Sequence, residues 1–329
     1  MRFLIAGFGS IGRRHLRNLL ALGEKDIHLF RSYKSTLPIS EAESFPVYSD
    51  LQEALSQKPD AVIIANPTSM HLDIAFPAIE AGCHLLIEKP LSDNNERIAE
   101  LEQAVDASGV KILMGFQFRY HPGLKEIKRL LETGQIGRLV SLRTHWGEFL
   151  PDWHPWEDYR KSYSAQANLG GGVILTLCHP LDYLRWLVGE ITTLWAFTAK
   201  LSDLDIDVED TAEIGFRFSS GVLGSLHLCY NQRPATHRIE LIGTEGTITW
   251  DYSDGGVNIY DIESGRWEKS PLEGGFERND MFLSEMDHFL SVIRGSENPR
   301  CSLSDGIKAL ELALAAKRSA DQAEIVHFD

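Results

Sequence analysis

The sequence predicts an α/β protein: an N-terminal doubly wound parallel sheet, then a C-terminal α+β domain with a large, mostly antiparallel sheet. Three observations carry this. Short apolar runs alternate with helical patterns over the first third of the chain. A glycine-spaced turn joins the first run to the first helix. Beyond about Tyr120 the runs come instead in pairs around Gly- and Ser-containing turns. At ~150 residues per domain, 329 residues make about two domains, and the change of pattern puts them at 1–120 and 121–329.

Arg2 to Ala6 is the first strand, followed by a turn and a helix from about Ile11 to Leu22. Ile27 to Phe30 is the second strand. Ala61 to Ala65 is continuously apolar, as expected of a strand covered on both faces of a parallel sheet. His84 to Ile87 is another, ending at Glu88-Lys89-Pro90. A polar helix from about Asn94 to Ser108 precedes a strand from Val110 to Gly115. In the second domain a helix spans Pro122 to Thr133 and a strand Leu139 to Glu148. Three hairpins follow: Asp210–Phe218 with Val222–Tyr230, Ile239–Ile242 with Thr247–Trp250, and Val257–Asp261 with Arg266–Lys269. Helices at about Met281–Arg294 and Leu303–Ala320 close the chain.

The composition is that of a globular protein, 43% hydrophobic and 24% charged, which excludes disorder as the main description. The formal charge of −15 repels phosphate backbones and anionic lipid, so neither nucleic acid nor a membrane is an expected partner. Cys83, Cys178, Cys229 and Cys301 form no C-x-x-C pair and read as buried or half-buried apolar residues. The apolar start is too short for a signal peptide and no stretch reaches the ~20 apolar residues of a spanning helix, so the expected compartment is the cytoplasm.

Gly7-Phe8-Gly9-Ser10-Ile11-Gly12 is a G-x-G-x-x-G that follows a strand and opens a helix. Gly7 permits the tight turn, Gly9 lets backbone approach a pyrophosphate, and Gly12 lets helix and strand pack closely. The helix N-terminus offers free N–H groups to the anion. The second strand ends in Phe30-Arg31-Ser32-Tyr33-Lys34, without the acid that would accept from a ribose 2′-OH. Arg31 and Lys34 can neutralise a 2′-phosphate and Ser32 can donate to it, so NADP is preferred over NAD. Lys89, between an acid and a proline at a strand's carboxyl end, can donate to a substrate oxygen or relay a proton; a solvated lysine is the competing reading.

The chain resembles the Gfo/Idh/MocA oxidoreductase family over nearly its whole length. The residues that carry the likeness are the glycine turn, Asn66-Pro67-Thr68 with His71, and Ala81-Gly82-Cys83-His84 leading into Glu88-Lys89-Pro90. Gly115-Phe116-Gln117-Phe118-Arg119-Tyr120-His121-Pro122, Gly170-Gly171-Gly172 with His179 and Asp182, and Gly243-Thr244-Glu245-Gly246 continue it. The resemblance implies a Rossmann domain, a second domain whose open sheet makes a homo-oligomer contact (a dimer or tetramer), and oxidation or reduction at a sugar or polyol carbon with NAD(P). It implies that Asn66, Pro67, Thr68, His71, Glu88, Lys89 and Gln117 lie at the cofactor, with Lys89 also beside the substrate, and that Arg119 reaches the active site.

The family's glycine-rich run commonly carries an Asp before its catalytic His. Here the run to His179 is one residue short and Thr176 stands in the acid's place. His179 remains the expected proton acceptor, with the ordinary imidazole pKa of ~6.5 suited to exchange with an alcohol; a packed structural histidine is the other reading. Asp182, three residues on, can orient the imidazole or bind a hydroxyl. Trp146 to Tyr163 mixes aromatic and polar residues, including Trp156 and Tyr163, and suits either a sugar subsite or a loop pinned by its tryptophans. The expected catalytic pair is thus Lys89 and His179, with Arg119, Trp156, Tyr163, Thr176 and Asp182 toward substrate. Cofactor and side chains handle both hydride and proton, so no metal is expected. Two other functions stay open: an NAD-dependent glycosidase of the same fold, and a non-catalytic dinucleotide sensor.

Overall fold

The structure, a computed structural model, describes residues 1–31, 40–270 and 275–328. The chain packs as two compact units. Met1–Gln117, Asn168–Gly170 and Arg278–Leu310 form the first; Phe118–Ala167, Gly171–Glu277 and Glu311–Asp329 form the second. Residues Arg278–Leu310, which the pattern along the chain places in the second domain, therefore pack with the first.

In the first unit the elements run β1 (Arg2–Ala6), α1 (Ser10–Ala21), β2 (Asp26–Phe30), β3 (Val47–Tyr48), α2 (Leu51–Ser56), β4 (Ala61–Ile64), α3 (His71–Glu80), β5 (His84–Glu88), α4 (Ile98–Ser108) and β6 (Ile112–Gly115). The six strands are parallel in the order β3-β2-β1-β4-β5-β6. β4 and β6 are buried throughout, which explains their unbroken apolar runs. Strand order reverses between β1 and β4, so a crevice opens beyond their carboxyl ends. The register sets Ala6 beside Ile64, and Gly7 and Ala65 leave the sheet together.

α4 starts later than the sequence pattern suggests. Asn94 Oδ1 accepts from the Glu96 N–H at 3.0 Å, a local bond that competes with helix formation. α3 is hidden in the pattern because Pro77 lies inside it.

The second unit holds α5 (Pro122–Glu132), β7 (Leu139–Phe149), α6 (Val173–Thr176), α7 (His179–Val188), β8 (Ile191–Ala199), β9 (Thr211–Phe218), β10 (Leu223–Cys229), β11 (Asn231–Gly243), β12 (Gly246–Asp251), β13 (Val257–Asp261) and β14 (Arg266–Ser270). Two helices, α8 (Arg278–Ile293) and α9 (Leu303–Gln322), precede a final strand, β15 (Val326–His327). The second sheet has the order β14-β13-β12-β11-β7-β10-β9-β8-β15. β7 and β10 run parallel and the other described pairs antiparallel. Along β9, Ala212, Ile214, Phe216 and Phe218 are buried while Glu213 and Arg217 are exposed, so one face of the sheet is core. β8 escapes the sequence pattern because exposed Trp195 and Phe197 alternate with buried Leu194 and Ala196, leaving both faces apolar.

Candidate functional site

The glycine turn sits at the switch point of the parallel sheet. Gly7 has φ +96°, and a Cβ there would fall 2.6 Å from the backbone of Ala65 and Asn66. A Cβ on Gly12 would fall 2.0 Å from the Gly7 carbonyl oxygen. Both glycines are thus required by close backbone contact. Gly9 differs: a Cβ there meets nothing within 4 Å. It caps α1 with no side-chain hydrogen bond, and the helix's first turn has no acid. First-turn N–H groups and the positive end of the helix dipole therefore face open space above Gly9.

Asn66 borders the same crevice from the end of β4. Its Nδ2 donates to the Met70 carbonyl at 3.2 Å, while its buried Oδ1 has no partner among the described residues. These features fit a dinucleotide, whose pyrophosphate needs the N–H groups and whose polar edges can meet Asn66.

The remaining expected cofactor residues divide by position. Ser10 is exposed and Ile11 half-buried at the start of α1, while the Phe8 ring is buried, so Phe8 offers only backbone. Pro67 begins the turn after Asn66, and Thr68 is buried within contact distance of Gly170. His71 serves as a brace: its Nδ1 lies 2.9 Å from the Pro90 carbonyl and its Nε2 3.0 Å from that of Asn66. Burial lowers its pKa, and a neutral ring donates to only one of these carbonyls while packing between the loop after β4 and the loop after β5.

Glu88 is buried at the end of β5 with Oε1 2.7 Å from His15 Nε2, which points its carboxylate inward. Lys89 follows it, half-buried, before a cis bond to Pro90. Gln117 is buried at the end of the unit. Arg31 is only 5% exposed at the end of β2, so it is no solvated turn residue. Ser32 and Lys34 lie outside the described residues.

In the second unit, His179 opens α7 and is buried. The Phe118 ring meets it edge-on at 4.9 Å, and Trp146 lies 5.5 Å away. Trp146 in turn stacks on His237 at 4.4 Å, and His237 Nε2 is 3.0 Å from the Tyr183 hydroxyl. Burial holds the His237 pKa well below the ordinary value and raises that of Tyr183, so both are neutral. His179 therefore stands on a rigid, uncharged aromatic floor.

Two expected substrate ligands are partners of each other. Arg119 Nη2 and Nε donate to the Asp182 carboxylate at 2.6 and 2.9 Å, and both residues are buried. Asp182 thus holds Arg119 in a bidentate fork. Thr176 is buried at the end of α6, near the Tyr230 phenol. In the aromatic segment, Trp146 is core and Trp153 meets Tyr230 edge-on at 5.5 Å. Trp156 is 67% exposed, while Tyr163 and Trp153 are half-buried, so Trp156 has the most surface to offer a ligand.

Glu209, which the sequence pattern does not single out, lies against Gly172 with Oε1 3.4 Å from the Ile174 N–H. Burial raises its pKa.

A model described as "Oxidoreductase family, NAD-binding Rossmann fold" matches residues 1–116, and one described as "GFO/IDH/MocA C-terminal domain" matches 124–249. The chain belongs to the Gfo/Idh/MocA oxidoreductase family. As a member it is an NAD-binding oxidoreductase. It is similar to myo-inositol 2-dehydrogenase of Thermotoga maritima, at 29% identity over 100% of this chain and 99% of the relative. The fold matches a levoglucosan dehydrogenase in complex with NADH, with TM-score 0.88 and 22% identity, covering 100% of this chain and 99% of that one. It also matches the WlbA dehydrogenase of Bordetella pertussis in complex with NADH and UDP-GlcNAcA, with TM-score 0.84, 23% identity, and 100% and 99% coverage. Among the described residues no helix is long and apolar enough to cross a membrane.

Proposed function

We propose that this chain transfers a hydride between a nicotinamide dinucleotide and the hydroxyl-bearing or keto carbon of a sugar, amino sugar, nucleotide sugar or polyol. The observation that carries this reading is the open, acid-free cradle over Gly9, in the same parallel sheet whose strand β5 leads into Lys89. The names of the relatives, an inositol and a levoglucosan dehydrogenase, support the substrate class.

The bound dinucleotide supplies hydride exchange at nicotinamide C4. The first unit cradles its pyrophosphate on the first turn of α1. Lys89 donates to the substrate oxygen and stabilises the negative charge that develops there as the alcohol is oxidised. His179 takes the hydroxyl proton in oxidation and returns it in reduction. Arg119, held rigid by Asp182, orients the substrate, and Trp156 and Tyr163 offer ring faces to it. NADP(H) is preferred over NAD(H) because β2 is followed by Arg31 and not by an acid. Exposed Trp195 and Phe197 on β8 support assembly as a homo-oligomer.

The test is to identify the dinucleotide that co-purifies and to screen related sugars for turnover with both dinucleotides. Lys89→Ala should lower kcat by ~10²-fold with little change in dinucleotide affinity. Near-normal turnover in that variant removes Lys89 from the mechanism. Glycoside cleavage without net dinucleotide reduction supports the glycosidase, and saturable dinucleotide binding without turnover supports the sensor.

A further inference from the structure

Three titratable side chains, His15, Glu88 and Glu285, are buried in the first unit, and Glu88 immediately precedes Lys89. His15 comes from α1, the helix that carries the dinucleotide cradle, and is fully buried. Its Nε2 lies 2.7 Å from Glu88 Oε1, and its Nδ1 has no partner among the described residues. Nε2 therefore faces the Glu88 carboxylate as its donor. Oε2 of Glu88 lies 3.1 Å from where a Cβ on Gly115 would fall, so β6 leaves room for the carboxylate by carrying glycine there. Glu285 reaches the cluster from α8 and is also fully buried, with neither carboxyl oxygen hydrogen-bonded among the described residues.

α8 is held on α1 by polar contacts. Asn279 Nδ2 donates to Asn18 Oδ1 at 2.9 Å, Arg14 Nη1 donates to Asn279 Oδ1 at 3.1 Å, and the Arg14 guanidinium lies 4.4 Å from the Phe282 ring centre. The titratable groups around Glu88 are thus His15 from α1, neutral His71 from α3, Glu285 from α8, and its chain neighbour Lys89. Burial and then the Glu88 charge push the Glu285 pKa well above the carboxylate range, which favours its uncharged form. Such a group costs stability, since an apolar side chain of similar size would leave no polar atom unpaired. Its position behind a strand end that carries a chemically active lysine gives that cost a use.

We propose that His15, Glu88 and Glu285 position Lys89. His15 clamps Glu88 and so sets the end of β5 against the helix that cradles the dinucleotide, while Glu285 lies beside Glu88 without adding a second charge. His15 and Glu285 are positioning residues in this scheme; Lys89 is the group that meets substrate. The inference rests on the role assigned to Lys89 above. Ionisation of Glu285 at rising pH would add a second carboxylate charge to the same buried region and disturb the placement of Lys89 that the His15–Glu88 contact sets.

The variants are His15→Leu, His15→Gln, whose amide can still donate to Glu88, and Glu285→Gln, which keeps the shape and cannot ionise. The first measurement needs no turnover. It is the rate at which Lys89 is acylated by a small activated ester, read by peptide mass spectrometry against Lys25 and Lys161 in the same sample, from about pH 6 to about pH 10.

His15→Leu should change the relative Lys89 rate at least about threefold, His15→Gln should return it to within about twofold, and Glu285→Gln should remove an inflection from the wild-type profile. The second measurement is turnover: His15→Leu should lower kcat about tenfold or more with dinucleotide Kd within about threefold. Identical Lys89 profiles in wild type, His15→Leu and Glu285→Gln, or failure of His15→Gln to restore the rate, would overturn the proposal. If His15→Leu does not fold, the profiles of His15→Gln, held near wild type, and of Glu285→Gln, stripped of its inflection, decide the matter. If no sugar is turned over by the wild type, the oxidoreductase reading fails on its own and the labelling profiles still decide whether Lys89 is positioned by these residues.

Discussion

Gly9 and Gly12 lie three residues apart in one turn, and the structure gives them opposite expected responses to the same substitution. In Gly9→Ala the new methyl meets no atom within 4 Å, and the residue's φ −80°, ψ −162° suits alanine. Alanine is the poorer helix cap, while replacing glycine cuts the entropy of the unfolded chain by ~0.4–1 kcal/mol. The two effects oppose each other, and stability should change by less than ~0.5 kcal/mol. The methyl does occupy the open space where a pyrophosphate would contact backbone. Losing one charge-assisted hydrogen bond costs ~1.5–3 kcal/mol, or roughly 10- to 150-fold in Kd.

In Gly12→Ala the methyl falls 2.0 Å from the Gly7 carbonyl oxygen, a backbone atom that cannot swing aside. Overpacking of that kind costs ~1–3 kcal/mol or more, and it displaces the turn as well. The assay is a thermal melt of each variant beside a dinucleotide titration followed by nicotinamide fluorescence at fixed ionic strength. Gly9→Ala should melt with the wild type and bind weakly; Gly12→Ala should lose both. Wild-type dinucleotide affinity in Gly9→Ala, or a wild-type melt in Gly12→Ala, would refute the assignment of the two roles.

Three further outcomes are expected. Asp182→Asn takes the carboxylate from the Arg119 fork and should cost ~3–5 kcal/mol in urea unfolding, with much of it recovered in Asp182→Asn/Arg119→Met; an additive double variant would refute the coupling. Burial, with a smaller contribution from Lys125, lowers the His121 pKa to about 3. The unfolded chain takes up that proton near pH ~6.5, so the stability His121 contributes is present above that pH and is lost as pH falls toward about 3. His121→Asn, which keeps an acceptor for the Gly123 N–H, should flatten the fall in Tm between about pH 6 and about pH 4, and an unchanged slope would assign the loss to other groups. Thr176→Asp places a carboxyl group against buried Tyr230 and should cost ~2 kcal/mol or more in unfolding free energy.

The parallel sheet and glycine turn are legible in the sequence because their signals are local. Buried strands such as Ala61–Ile64 read as unbroken apolar runs, and Gly7, Gly9 and Gly12 fall within six residues. What escapes is what depends on partners far along the chain. His15 meets Glu88 across 73 residues and Arg119 meets Asp182 across 63, so no spacing rule announces either pair. The inward aim of Glu88 and the bracing role of His71 follow from the same cause. Glu285 reads as one more acid on an amphipathic helix until the packing of α8 on α1 removes it from water.

Thr176 illustrates a different limit, one of geometry. Matching a motif position by position assumes that equal spacing means equal direction. In a helix each residue turns the next by about 100°, so a run one residue short rotates every earlier side chain by that angle relative to His179. Here the run is broken into α6 and α7, with Leu177 and Cys178 between them, and Thr176 ends the first piece. Its side chain meets the Tyr230 phenol, and a charged group there would lie in the protein interior. A carboxylate at that buried position would carry the larger cost of burying a charge. The threonine is therefore explained by the local fold of this segment. Proton transfer at His179 depends on what surrounds the imidazole, and the ring stands among Phe118 and Trp146 whatever residue occupies position 176.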